Sequence, residues 1–445
     1  MIIQYANLSD MVAKMSGYLG THTAFLCEEN GKFVRHSYGS FASDVQNRAA
    51  KLAFYGHTCI GIVCHLCYET IVEIFAANLA GMQIVMLSEN LGIEQIQSLI
   101  TQMDMDCIYG CEGDFVLGKG VSDGRDRILF FTSGTTSSSR AVVLTGTSLV
   151  KAAWNGSYSL PLSQDDVLLC LLPLDHVFGF VCGMLWGLNC GAAVALGRGR
   201  RHYGDDGMYF HATAVSLVPA LFGFLMKHRL FNKELRQILI GGASCDPVLM
   251  RHAQQLGFHV AFGYGLSETS SGAAISVSGD MLAMSVCIED EIQIASDGEI
   301  LIRSDACMMQ GYYQQPDATE QVLRHGVLHT GDLGFFDDLG RLHITGRKKE
   351  MLVLNDGTKI FLPEYEKMLC DALGDQEAAV MVKDGRLVLV YGGNRTRMEV
   401  DEVLEHVMRQ VAYSHRIQDV VMLGHVLPRT ANGKIRRYVL QEEVE

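Results

Sequence analysis

The chain has 445 residues, of which 48% are hydrophobic and 19% charged, with 46 glycines and 7 prolines. This length is about three times that of a usual single domain, so we expect one large or two unequal domains. The composition excludes long disordered tracts. The formal net charge of -14 disfavours a nucleic-acid partner, because phosphate backbones require clustered Lys and Arg.

The start of the chain gives no sign of export. The first residues (MIIQYANLSD) lack a basic segment followed by an apolar one, and the 13 cysteines do not have the spacing of a disulfide scaffold. Both features indicate a reducing, cytoplasmic location. Cys64 and Cys67 form one C-x-x-C pair near Cys59, but no second pair follows. Buried apolar cysteines are therefore favoured over a metal or redox site, and no metal is predicted there.

As far as about residue 300, short apolar runs alternate with segments of helical pattern. This alternation predicts an α/β fold in which helices cover parallel sheets. The predicted strands are 59–64, 84–87, 128–131, 192–196, 214–218 and 238–240.

The stretch 177–197 carries no charge over 21 residues, and its length alone would suit a membrane span. Asn189, Cys190 and Gly191 interrupt it. We therefore expect an apolar helix of about 12 residues and then a short strand, both buried in the core. A membrane helix is the less favoured alternative.

A loop rich in hydroxyl groups follows the predicted strand 128–131. Phe131-Thr-Ser-Gly-Thr-Thr-Ser-Ser-Ser-Arg140 combines small and hydroxyl residues with one cation, and such a loop can wrap phosphate oxygens. It is not a Walker loop, because G-x-x-x-x-G-K-[ST] is absent. Taken alone, an ordinary surface turn rich in serine and threonine is the better explanation.

Beyond about residue 348 the pattern is that of a smaller unit. Pro363 suits the first turn of a helix. Asp384-Gly385 separates the apolar runs 379–383 and 386–391, which predicts a hairpin with a tight turn. Apolar residues over 400–411 then repeat with helical period. These pieces predict a compact α+β domain of roughly 95 residues.

The hydroxyl-rich loop resembles the phosphate loop of the adenylate-forming superfamily of acyl-CoA synthetases, luciferases and peptide-synthetase adenylation domains, where it usually reads Y-T-S-G-T-T-G-x-P-K-G. The matching residues are Thr132, Ser133, Gly134, Thr135 and Thr136. Ser137, Ser139, Arg140 and Ala141 replace the family's Gly, Pro, Lys and Gly. The resemblance implies ATP binding by the matching residues and leaves open how the departures alter loop mobility and pyrophosphate handling.

Two further segments resemble the acyl and adenine sites of this superfamily. Leu172-Pro-Leu-Asp-His-Val-Phe-Gly179 is similar to the segment whose His, here His176, borders the acyl pocket of acyl-CoA ligases. Gly241-Gly-Ala-Ser244 is similar to the stretch beside adenine. The resemblance implies adenine contacts at Gly242, Ala243 and Ser244, and we expect the walls of the acyl pocket to include His176, Val177, Phe178, Val218 and Gly242.

Tyr264-Gly-Leu-Ser-Glu268 is similar to the superfamily motif Y-G-x-T-E. This implies that the Tyr264 ring lies on adenine, that Ser267 meets the α-phosphate and that Glu268 binds Mg²⁺, with Gly265 in the same nucleotide-binding turn. Phe262 stands where many members have Asn, so adenine recognition is expected to differ in detail.

The remaining motifs follow in the family's order up to residue 437. Gly298-Glu-Ile-Leu-Ile-Arg303 and Gly311-Tyr-Tyr313 resemble structural signatures. His329-Thr-Gly-Asp-Leu-Gly334 implies that Asp332 accepts both ribose hydroxyls. Gly346-Arg-Lys-Lys349 resembles the hinge, with Arg347 near the ribose and Lys349 at the pivot. Pro428-Arg-Thr-Ala-Asn-Gly-Lys434 implies that Lys434 contacts the substrate carboxylate and phosphate during adenylation.

Each residue also has an ordinary structural explanation when it is taken singly. Asp332 suits a turn, His176 a core position and Lys434 a solvated turn. The order of the motifs and their plausible spacing argue against coincidence. Adenylation also needs cations where negative charge builds up, which Arg140, Lys434 and a Mg²⁺ ion on Glu268 would provide.

The resemblance implies a large N-terminal domain of α/β subdomains, residues 1–348, which binds ATP and the acid, and a small mobile α+β domain, residues 349–445, which carries Lys434. The implied reaction activates a carboxylic acid as acyl-AMP with release of pyrophosphate, and then forms a thioester with CoA. Transfer to the phosphopantetheine of an acyl carrier protein and a non-catalytic nucleotide-binding role are the alternatives. Free amino acids are expected to be poor substrates, because His176 stands where amino-acid-activating domains place an Asp.

Overall fold

The structure is a computed structural model, and it describes residues 4–113, 115–120, 126–132, 140–277, 283–353, 359–383, 386–409, 411, 415–429 and 435–444. The strands up to residue 286 are β1 (Thr23–Glu29), β2 (Lys32–Ser37), β3 (Cys59–Val63), β4 (Gln83–Leu87), β5 (Cys107–Tyr109), β6 (Ile128–Phe131), β7 (Ala141–Leu144), β8 (Val167–Cys170), β9 (Ala193–Leu196), β10 (Ala214–Leu217), β11 (Gln237–Ile240), β12 (His259–Tyr264), β13 (Ala274–Ser276) and β14 (Ser285–Val286). The later strands are β15 (Glu291–Ile294), β16 (Glu299–Arg303), β17 (Gly311–Tyr312), β18 (Leu323–Arg324), β19 (Val327–Phe336), β20 (Leu342–Arg347), β21 (Met351–Val353), β22 (Lys359–Phe361), β23 (Ala378–Lys383), β24 (Arg386–Tyr391) and β25 (Asp419–Met422).

The α-helices are α1 (Leu8–Leu19), α2 (Tyr38–Tyr55), α3 (Tyr68–Leu79), α4 (Ile93–Met103), α5 (Gly146–Ser159), α6 (Val177–Phe180), α7 (Trp186–Cys190), α8 (Asp206–Tyr209), α9 (Pro219–His228), α10 (Pro247–Gln255), α11 (Pro316–Val322), α12 (Leu362–Leu373), α13 (Arg397–Met408) and α14 (Arg437–Val444). A π-helical turn, Val181–Leu185, joins α6 to α7, and 3₁₀ turns lie at Arg200–His202, Ser267–Thr269 and Lys348–Glu350.

Two mixed sheets form the centre of the large N-terminal part. In the described residues, nine strands follow the order β14-β13-β12-β11-β10-β8-β9-β1-β2, and six follow β17-β7-β6-β4-β3-β5. Pairing is parallel from β12 to β1 in the first sheet and from β6 to β5 in the second. Strands β3 and β4 are buried at every position, as expected of parallel strands covered on both faces.

The predicted α/β class is confirmed, and the structure adds antiparallel elements that the sequence did not reveal. Strands β2, β7, β13, β14 and β17 pair antiparallel at the sheet edges. A separate antiparallel sheet runs β15-β16-β19-β18, with β20 on β19. Its strands are partly exposed and follow one another with few helices between them, so an alternation of strands and helices does not predict them.

The uncharged stretch 177–197 forms α6, the π turn, α7 and β9, all in the core. The predicted helix followed by a strand is therefore confirmed. Of the helices that the structure describes, none is long and apolar enough to cross a membrane. All 13 cysteines are free; Cys59 and Cys64 are buried and Cys67 is partly buried.

The smaller C-terminal part has its own mixed sheet, β23-β24-β25. The predicted hairpin is present, because Lys383 pairs with Arg386; its turn, Asp384-Gly385, lies outside the described residues. Pro363 lies in the first turn of α12 as predicted, whereas α13 ends before Val411. Helices α12 and α13 share one apolar cluster with the sheet, and α14 packs on the strands in another.

Candidate active site

The predicted nucleotide residues cluster where the parallel strands of the nine-stranded sheet end. Val218 follows β10, Gly241 and Gly242 follow β11, and Tyr264 closes β12. The carboxyl ends of neighbouring parallel strands meet at one edge of a sheet, which is where α/β folds bind ligands. This topology explains how motifs far apart in the chain come to lie side by side.

Asp332 is held on both carboxylate oxygens. It pairs with Arg347 across β19 and β20, and the Arg347 Nε lies 2.6 Å from its Oδ1. The Tyr264 hydroxyl donates to Oδ2 at 2.8 Å. Asp332 is 3% exposed, so its orientation is fixed. The structure thus brings together three predicted residues, Tyr264, Asp332 and Arg347.

The pKa shifts of Tyr264 and Arg347 keep both residues as hydrogen-bond donors to Asp332. Burial, and then the Asp332 charge, raise the pKa of Tyr264 well above its usual value, so it remains a donor. Burial works against the charge of Arg347, but the Asp332 carboxylate raises the pKa of that guanidinium. A carboxylate offers about four acceptor positions. A carboxylate that accepts from Tyr264 and Arg347 is therefore also the type of group that ribose hydroxyls use as an acceptor.

Glu268 lies in the 3₁₀ turn that follows Tyr264. The turn is tight, because a Cβ on Gly265 would lie 1.4 Å from the Ser271 carbonyl oxygen. The Tyr312 hydroxyl donates to Glu268 Oε1 at 2.6 Å. A carboxylate supplies the oxygen ligands that a hard cation prefers. The donor chemistry at Glu268 therefore fits Mg²⁺.

Arg140 stands at the base of the hydroxyl-rich loop. Thr132 N–H donates to the Arg140 carbonyl at 2.9 Å, and Arg140 N–H donates to Thr132 Oγ1 at 3.3 Å. The Arg140 guanidinium carbon lies 5.0 Å from the centroid of the Tyr312 ring, a cation–π distance. Ser133, Gly134, Thr135 and Thr136, and the departures Ser137 and Ser139, lie outside the described residues.

Tyr312 links these two charged groups, and the sequence did not identify it as a site residue. Strand β17 pairs with β7 so that Tyr312 faces Val142, two residues beyond Arg140. Burial, followed by the Glu268 charge, raises the pKa of Tyr312, which keeps it a hydrogen-bond donor. The Gly311-Tyr312-Tyr313 motif was interpreted as structural because the pairing of β17 with β7 cannot be seen in the sequence.

The predicted acyl-pocket residues are only partly brought together. A Cβ on Gly242 would lie 3.7 Å from Val218 and 3.9 Å from Phe178, and a Cβ on Gly241 would lie 2.9 Å from the Phe178 ring. Gly242, Val218 and Phe178 are therefore neighbours. Gly242 has φ +82°, which favours glycine. Val177 is buried at the start of α6, and Ala243 and Ser244 are exposed after β11.

His176 is exposed and precedes α6. Asp175, one residue earlier, is 8% exposed, and its charge adds to the effect of burial in raising the pKa of Cys64. That Asp175 does not serve as the partner of a substrate ammonium stays a prediction.

The hinge segment is anchored up to Lys348. Lys348 Nζ lies 2.7 Å from Asp297 Oδ2 and 2.7 Å from Glu299 Oε2. Lys349 is exposed in the 3₁₀ turn that begins at Lys348.

Ser267, the predicted α-phosphate contact, is half-buried in the 3₁₀ turn that contains Glu268.

Lys434 lies outside the described residues, but the base of its loop is defined. Arg429 and Ile435 form a bridge. Leu427 N–H donates to Glu377 at 2.7 Å, and Arg437 pairs with Glu366 at 2.7 Å. Both ends of the loop are thus fixed to the C-terminal domain.

Comparison with known proteins agrees with this geometry. Residues 122–313 match the family model described as AMP-binding enzyme. The chain is 31% identical over 356 residues to a probable CoA ligase of Humulus lupulus, covering 72% of this chain and 67% of the relative. It is 24% identical over 425 residues to the 2-succinylbenzoate–CoA ligase of Bacillus cytotoxicus, covering 85% and 86% of the two chains.

Solved structures share the fold. The o-succinylbenzoate CoA synthetase of Bacillus subtilis with its acyl-adenylate intermediate gives a TM-score of 0.82 at 20% identity, covering 97% of each chain. The same enzyme with ATP and a magnesium ion gives a TM-score of 0.80 at 20% identity, covering 97% of this chain and 99% of the other. Neither the carrier-protein alternative nor the non-catalytic alternative finds support among these relatives. The chain therefore belongs to the AMP-binding enzyme family and is an AMP-forming acid–CoA ligase of the adenylate-forming superfamily.

Proposed function

We propose that this ligase uses ATP to convert a carboxylic acid into its acyl-AMP, releasing pyrophosphate, and then passes the acyl group to the thiol of CoA, releasing AMP, at a single site. One observation supports this most directly. The turn 264–268 delivers Tyr264 to Asp332 at 2.8 Å and also places Glu268 against Tyr312 at 2.6 Å. The tyrosine that holds the proposed ribose acceptor Asp332 and the proposed cation ligand Glu268 are thus four residues apart in the chain.

Each described side chain then has a role that its surroundings support. Asp332, held by Arg347, accepts the ribose hydroxyls, and Tyr264 together with Gly242, Ala243 and Ser244 borders adenine. Gly265 allows the tight turn, and Ser267 lies toward the α-phosphate. We assign the other phosphate contacts to Thr132, Ser133, Gly134, Thr135, Thr136 and Arg140, and assign His176 to the edge of the acyl pocket.

The chemistry requires these charges. Adenylation joins an anionic carboxylate to an anionic phosphate, so positive charge must stand where negative charge builds up. Mg²⁺ held by Glu268 would supply part of it by binding phosphate oxygens. Arg140, fixed over the Tyr312 ring, supplies a second positive charge, and Lys434 supplies a third when its loop reaches the site.

The acid that fits this site has an apolar body and no ammonium group. The proximity of Phe178, Val218 and Gly242 supports an apolar wall, and Asp175 is buried. CoA is the acceptor we propose because the relatives are CoA ligases. Thirteen free cysteines support a reducing compartment such as the cytoplasm.

Lys434→Ala tests whether Lys434 is needed for adenylation but not for thioester formation. Loss of one positioned charge-stabilising donor typically costs about 10² to 10³ in rate, so carboxylate-dependent ATP/pyrophosphate exchange should fall by that amount. Thioester formation from supplied acyl-AMP should be spared. Lys367→Ala is the matched control, because Lys367 is an exposed lysine of the same domain that pairs with Asp371. Equal loss in both half-reactions would contradict the role.

A further inference from the structure

The edge hairpin of the nine-stranded sheet carries three potential metal ligands on one face. Strands β1 and β2 pair antiparallel, with Phe25 opposite His36 and Glu29 opposite Lys32. Alternate residues on a strand share a face, so Cys27 and Glu29 lie on the same face as Phe25 and its partner His36. The register of the hairpin therefore places a thiol, a carboxylate and an imidazole together, far along the sheet from the strands that end at the nucleotide residues.

The donor atoms of this group are in contact. Cys27 Sγ lies 3.3 Å from Glu29 Oε1, and His36 Nε2 lies 2.8 Å from the same oxygen. All three donor atoms lie within 4.8 Å of one another, and no other three His, Cys, Asp or Glu residues in the described ranges do so. Cys27 is 5% exposed, so its thiol is the most deeply buried of the three ligands. Glu29 and His36 are only partly buried.

The imidazole is fixed from behind. The His36 ring stacks on Tyr68 with centroids 3.5 Å apart and an interplanar angle of 8°. The Tyr68 hydroxyl in turn donates to Asp44 at 2.7 Å, which joins the start of α3 to α2. The ring that offers Nε2 to Glu29 is thus held in place.

We propose that Cys27, Glu29 and His36 bind a divalent transition-metal ion of the Zn²⁺ class. A thiolate, an imidazole and a carboxylate are the ligands that Zn²⁺ takes, whereas Mg²⁺ and Ca²⁺ take oxygen ligands. Bonds of about 2.0 to 2.3 Å to a tetrahedral ion place ligand atoms roughly 3.3 to 3.8 Å apart. The 2.8 Å contact between His36 and Glu29 needs to open by about 0.5 to 1 Å to reach that spacing, and the 3.3 Å contact between Cys27 and Glu29 by about 0.5 Å or less.

Binding balances in charge and protons. The Cys27 thiol proton, now donated to Glu29, leaves to solvent as the Cys27–metal bond forms. Any proton that His36 Nε2 shares with Glu29 also leaves to solvent, and His36 binds through Nε2 as the neutral ring with its proton on Nδ1. Three protein ligands leave one position for water. The ion would cross-link β1 to the edge strand β2. The competing explanation is a plain ion pair between His36 and Glu29 with a thiol hydrogen bond, which requires no metal and gives no thiolate.

Cobalt titration separates the two explanations. The full-length protein is freed of nucleotide and treated with a chelator, and Co²⁺ alone is then added while the near-ultraviolet thiolate-to-cobalt charge-transfer band is followed. We expect one Co²⁺ per chain to produce this band. Co²⁺ at the Mg²⁺ position on Glu268 would not produce it, because that position offers a carboxylate.

Variants locate the band. Cys27→Ala and His36→Gln should abolish it and weaken Co²⁺ binding by more than about 100-fold, the upper range for loss of a mere outer-shell partner. Cys67→Ala and His65→Gln should leave it unchanged. His65 is the matched control, because its Nδ1 lies 3.3 Å from Glu89 Oε2 in a His–Glu pair that belongs to no such three-donor group in the described ranges.

Folding is checked for every variant by circular dichroism and by ATP/pyrophosphate exchange. If Cys27→Ala does not fold, His36→Gln, which changes a partly exposed residue, supplies the same test. Absence of a charge-transfer band in the wild type at saturating Co²⁺, or a band that survives Cys27→Ala or His36→Gln in a folded protein, would overturn the proposal.

Discussion

Single side chains set the charge balance of the candidate site, and Tyr312 shows this most clearly. One hydroxyl fixes the Glu268 carboxylate at 2.6 Å while the ring of the same residue lies under Arg140. Glu268 and Arg140 were both predicted from motifs, but the residue that joins them was not. Tyr312 contacts both the predicted cation ligand and the predicted phosphate cation, so we propose that it is a positioning residue.

Tyr312→Phe should therefore weaken Mg²⁺ use more than folding. The substitution removes the hydrogen bond to Glu268 but keeps the ring beneath Arg140. A hydrogen bond to a charged group contributes about 1.5 to 3 kcal/mol, so the apparent KM for Mg²⁺ in the adenylation half-reaction should rise by about tenfold or more. Tyr313→Phe, one residue along, is the control. An unchanged Mg²⁺ dependence in Tyr312→Phe would show that the hydroxyl does not position Glu268.

A second prediction at the scale of single residues concerns Asp290, whose contribution to stability should depend on pH. It is 8% exposed, accepts from Asn155 Nδ2 at 2.7 Å, and burial raises its pKa to about 7. An unfolded Asp has a pKa of about 3.9. As pH rises from about 4 to 7, the unfolded state loses this proton while the folded state retains it, so the contribution of Asp290 to stability falls.

Asp290→Asn should remove this loss of stability at higher pH, because Asn does not titrate. The stability of the variant relative to wild type should increase as pH rises from about 5 to 7 and then level off, as measured by denaturant unfolding at each pH. Asp337→Asn is the control. Its hydrogen bonds to Arg341 and His343 lower the pKa of Asp337, so its effect on stability should stay constant over the same range. A flat profile for Asp290→Asn would refute the assigned titration.

At the scale of elements, the sequence predicted the strands and helices that contain a continuous apolar run or that end at residues which interrupt regular structure. Strand β6 has the predicted bounds 128–131, and the helix and strand of 177–197 follow the interruption at 189–191. The antiparallel sheet of β15, β16, β19 and β20 was not predicted. Its order depends on long-range pairing and on strands exposed on one side, which local pattern does not encode.

Some residues of the candidate site could likewise be predicted from the sequence, and others could not. The motifs located Tyr264, Asp332 and Arg347, and the structure brings all three into contact. Their roles toward a nucleotide remain predictions. Tyr312 was missed because its position depends on the pairing of β17 with β7, a contact between strands more than 160 residues apart.

Gly265→Ala tests the turn that joins the two halves of the site. A Cβ there would lie 1.4 Å from a backbone oxygen, that of Ser271, so the turn from Tyr264 to Glu268 must open. We expect AMP binding and ATP/pyrophosphate exchange to fall by at least about tenfold, with a lowered unfolding midpoint. Gly272→Ala is a matched control, because nothing lies within 4 Å of its Cβ. Equal AMP affinity in the two variants would contradict the steric assignment.

At the scale of the whole molecule, the hydrophobic cores support two domains. One extensive cluster draws its buried residues from Tyr5 to Leu342, whereas two others draw theirs from Ile360 to Val420 and from Ala379 to Val444. We propose that the boundary lies between Lys348 and Lys349. Arg347 and Lys348 are tied to Asp332 and to Glu299, and β21 begins at Met351, so Lys349 and Glu350 are the short segment between two fixed parts.

Lys349→Pro tests whether both half-reactions depend on rotation at that segment. Lys434 must enter for adenylation and withdraw before a thiol approaches, so the small domain must swing about a few residues. Proline would fix φ near about -65°, a value typical of a 3₁₀ turn such as Lys348–Glu350. It would also disfavour the helical conformation of Lys348, the residue before it, so the variant restricts rotation at this segment and its folding is checked.

We expect Lys349→Pro to retain much of the ATP/pyrophosphate exchange but to lose most thioester formation from supplied acyl-AMP. Lys349→Ala is the control, because it removes the charge and leaves the backbone free; it should keep both activities. Rapid-quench measurement of each half-reaction gives the two rates separately, and circular dichroism confirms folding. If folded Lys349→Pro performs both half-reactions at wild-type rates, the pivot is not Lys349 and the domain boundary must be placed elsewhere. If both variants lose thioester formation equally, the side-chain charge, not the rotation, is what the second half-reaction requires.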